Sequence, residues 1–180
     1  PKCRVHHGYF DIWERLHHCV VKHLTTLGCG PARDPRMTDW QHLPAVVSVT
    51  GHSLGAGVSA IAMMALRAHG FSIGESFNYG MPRTGDLAFS TAFSDSFTGS
   101  FWRVTHGKDP IVHMPPRAWT PWNWRHVEPE VFYPGDLDDG FKICNVGTDE
   151  KCSFQFGDLN YVIADHMKYL GIDMGQKGCA

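Results

Sequence analysis

A single junction constrains this chain more than any other feature. Ala45-Val46-Val47-Ser48-Val49-Thr50 is β-branched and apolar apart from small hydroxyls, the pattern of a central strand covered on both faces. Residues 54–69 are apolar nearly all round, rich in Gly and Ala and closed by Gly70, the pattern of a buried helix packed closely on a sheet. Between the two lies Gly51-His52-Ser53-Leu54-Gly55, a G-x-S-x-G pattern in a strand, turn, helix setting. In so sharp a turn the side chains two before and two after the serine would collide. Gly51 and Gly55 are therefore read as steric necessities, and Ser53 is held exposed at the carboxyl end of the strand. The helix start directs N–H groups and the positive end of its dipole to the same place, so the backbone N–H of Leu54 can meet an oxyanion. Gly51, Gly55 and Gly57 could also be taken for a phosphate loop, but no G-x-G-x-x-G frame and no P-loop lysine accompany them.

Strand-like and helix-like segments alternate along the chain without a repeat, which favours an α/β sheet. Val5 marks an early apolar strand. From Tyr9 the apolar positions Trp13, Leu16, Val20, Leu24 and Leu27 recur at helical spacing and predict an amphipathic helix ending at Gly28. Residues 28–44 carry three Pro and two Gly and read as a surface excursion. Strands are expected at 76–79 and 101–105, each running into a Gly-containing turn, with a helix near 86–93 between them. The Pro- and Trp-rich stretch 107–134 is expected to be mostly irregular, and 161–170 to be the last helix.

Composition removes several functions. Sixteen Lys and Arg against eighteen Asp and Glu, with no basic run, leave no electrostatic footprint for nucleic acid or an anionic bilayer. The most apolar window, 58–66, is about half of a membrane span, so no transmembrane segment is expected. A chain of 180 residues reads as one domain, 1–180, able to bury roughly 70% of its unfolded surface. It opens on Pro1-Lys2-Cys3, with neither Met nor a charged-then-apolar leader, which reads as processing or truncation of the true start. The six cysteines, Cys3, Cys19, Cys29, Cys144, Cys152 and Cys179, contain no C-x-x-C, so disulfides are preferred to a zinc or thioredoxin-type site. Cys144 and Cys152 flank a polar turn that suits a small staple, which places the chain in a secretory or endomembrane lumen. His6, His7, His17, His18 and His23 are read as surface histidines, since on a helix His17 and His23 point about 240° apart. Trp119, Trp122 and Trp124 are read as packing on the domain rather than lining a binding groove.

A serine hydroxyl is a poor nucleophile until a histidine takes its proton and a carboxylate orients that histidine, and the expected chain order is serine, acid, histidine. Asp109, in His106-Gly107-Lys108-Asp109-Pro110 just past a strand end, is the best acid. Asp86 and Asp95 fall in or beside a helix, and Asp136, Asp138 and Asp139 crowd a polar turn. His113, His126 and His166 all follow Asp109, and spacing alone does not choose among them. Position favours His166, beside a terminal element that can fold over the strand ends.

Several segments together resemble one family. Val5-His6-His7-Gly8-Tyr9-Phe10 resembles V-H-x-G-F, Thr50 to Gly57 resembles T-G-H-S-L-G-G-A, and Asn78 to Gly85 resembles Y-G-x-P-R-V-G. Arg103 to Pro116 resembles R-V-x-x-x-x-D-P-V-x-x-L-P-P, His126 to Tyr133 resembles H-x-x-x-E-V-W-Y, and Asp165-His166 with Tyr169 resembles D-H-x-x-Y. The ordered set is similar to the class 3 lipases, the fungal-lipase-like branch of the α/β-hydrolases, over nearly the whole chain.

The resemblance implies an α/β-hydrolase-like, mostly parallel sheet with helices on both faces. It implies Ser53 as nucleophile, Asp109 as acid, His166 as base and Leu54 as one oxyanion donor, with Gly51, His52 and Gly55 forming the elbow. It also implies a Cys144–Cys152 disulfide, and for Cys179 a bridge to a cysteine near the mature N-terminus. The family's second oxyanion donor, its lid helix and its first strands precede the V-H-x-G-F segment, so the domain is expected to be N-terminally incomplete. The expected function is hydrolysis of acylglycerol esters at a lipid–water interface without a cofactor or metal. Phospholipase A1, galactolipase and feruloyl-type esterase are the alternatives within the family, and a non-catalytic lipid-binding module is the alternative of another class.

Overall fold

The computed structural model of the protein describes residues 2–30, 45–117, 123–156 and 160–175. Most of the 28–44 excursion, together with Trp119, Trp122 and Cys179, lies outside the described residues.

Val5 makes a single antiparallel bridge to Gly85 rather than a strand. The chain then enters α1 (His7–Thr26), which stops at Gly28 through N–H bonds from Gly28 to Thr25 O and from Cys29 to Leu24 O. Trp13 is buried, and Tyr9, Ile12, Val20, Val21 and Leu24 pack partly buried beside it. Leu16 and Leu27 of the expected stripe are exposed. A helix that packs along one side, against α2, covers a narrower arc than the sequence stripe describes.

The expected central strand is two short ones, β1 (Val46–Val47) and β2 (Thr50–His52). Between them Ser76 Oγ accepts the Val49 N–H at 3.0 Å, a side chain replacing a strand partner. Val46 is 63% exposed, so the segment is not covered on both faces. β1 pairs in parallel with β3 (Ser72–Ile73), in a sheet of its own. The main sheet has the order β2, β4 (Ser76–Tyr79), β5 (Phe101–His106), β6 (Glu130–Tyr133), β7 (Lys142–Cys144). All its pairs are parallel except β6–β7. β6 and β7 fall where sequence patterning gave no strand.

After β2 the chain enters α2 (Leu54–Ala68), and after β4 it enters α3 (Leu87–Ser96), whose N-cap Asp86 accepts the Phe89 N–H at 2.9 Å. Gly57 lies so close to α1 that a Cβ there would come within 2.8 Å of the Tyr9 ring. One core joins α1, α2 and α3, with Ala56, Ile61, Met63, Leu66, Phe93 and Phe101 buried in it. Of the helices expected on both faces, these described ones share one core on one side of the sheet. Among the described residues, the other side of the sheet carries a groove of about 340 Å³ lined by Phe77, Tyr79, Trp102, Val104, Val131 and Ile143.

The expected last helix is a single turn, α4 (Ile163–His166), followed by a hairpin of β8 (Lys168–Tyr169) and β9 (Ile172–Asp173). Leu170 and Gly171 both have positive φ, the requirement of a tight two-residue hairpin turn, and this turn ends the helical pattern. α4 and the hairpin lie over the carboxyl ends of the strands, where β2, β4 and β5 deliver their turns.

Candidate active site

Ser53 sits between β2 and α2 with φ 58° and ψ −129°, a strained backbone for a residue with a side chain. Its N–H donates to Tyr79 O at 3.0 Å, tying the elbow to the neighbouring strand. A Cβ on Gly51 would lie 2.5 Å from Gly55 O and 2.7 Å from Ala56 N, so this position admits no side chain. Gly55 differs from expectation: a Cβ there would meet nothing within 4 Å. The steric demand falls on the glycine before the serine, because it faces the backbone of the first helical turn. Leu54 is the first residue of α2, so its N–H is among those that no preceding helical turn can satisfy.

Asp109 follows the Gly107 turn at the end of β5 and is 1% exposed. Its Oδ1 accepts the Ile111 N–H at 2.7 Å. Its Oδ2 accepts His166 Nδ1–H at 2.8 Å and the Tyr169 hydroxyl at 2.5 Å. The other imidazole nitrogen, His166 Nε2, stands 2.8 Å from Ser53 Oγ. With an ionised carboxylate and a neutral ring, both bonds form only if Nδ1 carries the proton and Nε2 accepts from the serine hydroxyl. Three residues separated by more than fifty positions along the chain thus form one continuous relay.

Close neighbours hold it. His52 Nε2 donates to the carbonyl oxygen of His166 at 2.8 Å, and the two rings stack with centroids 4.5 Å apart. Burial lowers the His52 pKa, which keeps that ring neutral beside the His166 ring. Burial, then the charge of Asp109, pushes the Tyr169 phenol well above its usual range, so Tyr169 is a permanent donor. Gly80, at φ 56°, sits where a Cβ would approach Asp109 Oδ2, His166 Nδ1 and Tyr169 Oη, each at 3.0 Å. Tyr169 and Gly80 stand in the sequence only as letters of motifs. Neither residue type announces a contact with a carboxylate.

The rival residues have other work. Asp86 caps α3, Asp95 lies within it, and Asp136 with Asp139 closes a capping box on an exposed turn. His126 is buried and donates from Nε2 to Val112 O at 2.7 Å, and burial holds its pKa well below the usual value. The His113 ring lies against Tyr161. Trp124 is buried beside His6, in keeping with a packing role. Cys144 and Cys152 form a disulfide, and among the described residues Cys3, Cys19 and Cys29 are free. Among the described residues no group of three or more His, Cys, Asp or Glu is arranged to hold a metal ion, and no helix is long and apolar enough to cross a membrane.

A family model described as Lipase (class 3) matches residues 1–119. A secreted mono- and diacylglycerol lipase 1 from Fusarium solani is 30% identical over 173 residues, covering 93% of this chain and 46% of the relative. A lipase from Rhizomucor miehei is 26% identical over 178 residues, covering 96% of this chain and 44% of the relative. Among solved structures, lipase II from Rhizopus niveus superposes with a TM-score of 0.76 at 25% identity, over 99% of this chain and 62% of that one. The chain therefore spans about half the length of the curated relatives it matches.

Proposed function

This chain belongs to the class 3 lipase family, and on that premise we propose that it is a serine carboxylic-ester hydrolase acting on acylglycerols, with Ser53, His166 and Asp109 as its catalytic residues. The observation that carries the reading is the unbroken relay from Ser53 Oγ through His166 to Asp109, at 2.8 Å for each step, on a serine held at positive φ.

Ser53 Oγ attacks the ester carbonyl carbon as its proton passes to His166 Nε2, and Asp109 stabilises the imidazolium that results. The oxyanion faces the N–H of Leu54 at the positive end of α2. The carbon–oxygen bond to the glycerol breaks as His166 returns the proton to the leaving alkoxide. Water, deprotonated by the same nitrogen, then attacks the acyl-enzyme, releasing the fatty acid and restoring the serine hydroxyl.

The substrate class is supported by the residues that adjoin the relay in sequence. Leu54, next to Ser53, and Met167, next to His166, are exposed apolar side chains, and Val162 and Ile163 are exposed at the start of the turn that ends at His166, a setting suited to an acyl chain rather than a charged group. It is supported too by relatives named as mono- and diacylglycerol lipases. Several relatives are also named as secreted, and with the Cys144–Cys152 disulfide this supports an oxidising, extracellular or luminal location.

The test is covalent labelling of the folded chain by a fluorophosphonate, which requires an activated serine, beside Ser53→Ala. Labelling that disappears in the variant is the expected result, followed by turnover of a panel of mono-, di- and triacylglycerols and phospholipids. Saturable binding of acylglycerol by a folded, unlabelled chain would replace the enzyme with a lipid-binding module.

A further inference from the structure

Resting on the ester-hydrolase reading of the relay, we infer that Asp165 is a positioning residue, which acts by fixing the turn that carries His166 against the turn that carries Asp109. His166 and Asp109 come from segments 57 residues apart in sequence, and each sits on a short turn rather than on a long rigid element. A base–acid distance of 2.8 Å between two turns needs something to register one against the other.

Asp165 makes that connection from both its side chain and its backbone. Its carboxylate Oδ2 accepts the Lys108 N–H at 2.6 Å, and its carbonyl oxygen accepts His106 Nδ1–H at 3.0 Å. A third bond in the same seam runs from Val162 N–H to Lys108 O at 2.9 Å. The pairing is sequential: Asp165 grips residues 106 and 108, and the next residue, His166, bonds Asp109. Gly107, between the two gripped positions, has φ 47°, and a Cβ on it would lie 2.3 Å from Asp165 Oδ2. The glycine is therefore required by the close approach of the carboxylate as well as by its own backbone. Lys108 and His106 face Asp165, while Asp109, Tyr169, His52 and Ser53 surround the His166 ring or its partners.

Two substitutions separate geometry from charge. Asp165→Asn and Asp165→Ala remove the same negative charge, but the asparagine oxygen can still accept the Lys108 N–H. The His166 Nδ1–H···Asp109 bond is followed by NMR through the downfield resonance of its proton, in a Ser53→Ala background, so that the reading needs no turnover. Loss of registration lengthens that contact, so Asp165→Ala is expected to move the resonance upfield or broaden it away, and Asp165→Asn to retain most of it. In the chain that retains Ser53, kcat on a soluble ester is expected to fall roughly tenfold or more in Asp165→Ala with KM nearly unchanged, and Asp165→Asn is expected to recover most of it. Equal shifts in the two variants would reduce Asp165 to a charge, and an unshifted His166 in Asp165→Ala would reduce it to a structural contact; either overturns the inference. If Asp165→Ala does not fold, Gly107→Ala, which presses on the carboxylate without removing it, is expected to move the same resonance in the same direction, and an unmoved resonance again overturns it. Failure of the ester-hydrolase reading has a different signature, absent labelling and turnover in the unaltered chain, and leaves the NMR comparison intact.

Discussion

Asp109 Oδ2 accepts two hydrogen bonds at once, and the second donor helps to fix the orientation of the carboxylate. The Tyr169 hydroxyl spends its proton on the oxygen that also holds His166. Tyr169→Phe removes a buried bond to a charged acceptor, a loss of about 2 kcal/mol in stability. It also frees Asp109 Oδ2 of one of the two donors that hold it in place. kcat should fall roughly tenfold with KM nearly unchanged as the orientation of the acid loosens. An unchanged kcat would show that the phenol only fills space. Sequence reading reaches Ser53, Asp109 and His166 as candidates because such a relay needs a serine, an acid and a histidine, but chain order leaves His113 and His126 open and only position favours His166. Tyr169 and Gly80 are not reached at all, since a phenol and a glycine carry no such chemical restriction. Their roles follow from the convergence of three segments, so close that a Cβ on Gly80 would come within 3.0 Å of Asp109, His166 and Tyr169.

At the level of elements, the elbow is asymmetric in a way that two identical letters conceal. The pattern places a glycine on each side of the serine, yet only Gly51 faces backbone, where a Cβ would lie 2.5 Å from Gly55 O, while the side of Gly55 is open. Gly51→Ala must displace the first turn of α2 and with it Ser53, and is expected to abolish labelling by a fluorophosphonate. Gly55→Ala adds a methyl group to open space within a helix and should raise stability by up to about 1 kcal/mol with labelling retained. A chain inactivated equally by both substitutions would contradict the observed backbone. The same limit applies to longer segments. Elements with a local signature are legible: α1, α2, β4 and β5 lie where periodicity and glycine stops put them. The hairpin β8–β9 is hidden because its turn uses Leu170, which a sequence reader does not expect at positive φ. β6, set between Pro129 and Pro134, is hidden because its partner is the distant β5 and its pairing is not written locally.

Across the whole molecule, the two ends of the sheet are held by different means. The β2 and β4 side leans on the apolar layer of α1, α2 and α3, whereas the β6 and β7 side has the small cluster of Phe132, Cys144, Cys152 and Phe156 and a buried ionic group. Arg103 and Glu130, both almost fully buried, pair at 2.9 Å, and Glu130 Oε1 also accepts from Thr105 Oγ1 and from Ser153 N–H beside the disulfide. Burial alone would raise the Glu130 pKa, but Arg103 and these bonds outweigh it and hold it below the usual value. His126, buried without charge next to the same arginine, is held well below its own usual value. Both groups are depressed in the folded state, so each contributes stability that is complete above its unfolded pKa and is lost as pH falls toward its folded one. The two windows differ. His126 begins to take up its proton in the unfolded chain near 6.5, and Glu130 does so near 4.5. The unfolding free energy should therefore decline in two stages, with His126 contributing about 1.4 kcal/mol per pH unit below 6.5 and Glu130 steepening the loss below 4.5. His52 and His6, lowered in the same direction, add to the first stage. Denaturant unfolding at a series of pH values measures this directly. His126→Gln, which can still donate to Val112 O but does not titrate, should flatten the first stage and leave the second. An unfolding free energy that is level from neutrality to below about pH 6 would remove His126 from the account, and an unchanged slope in His126→Gln would assign the first stage to other histidines.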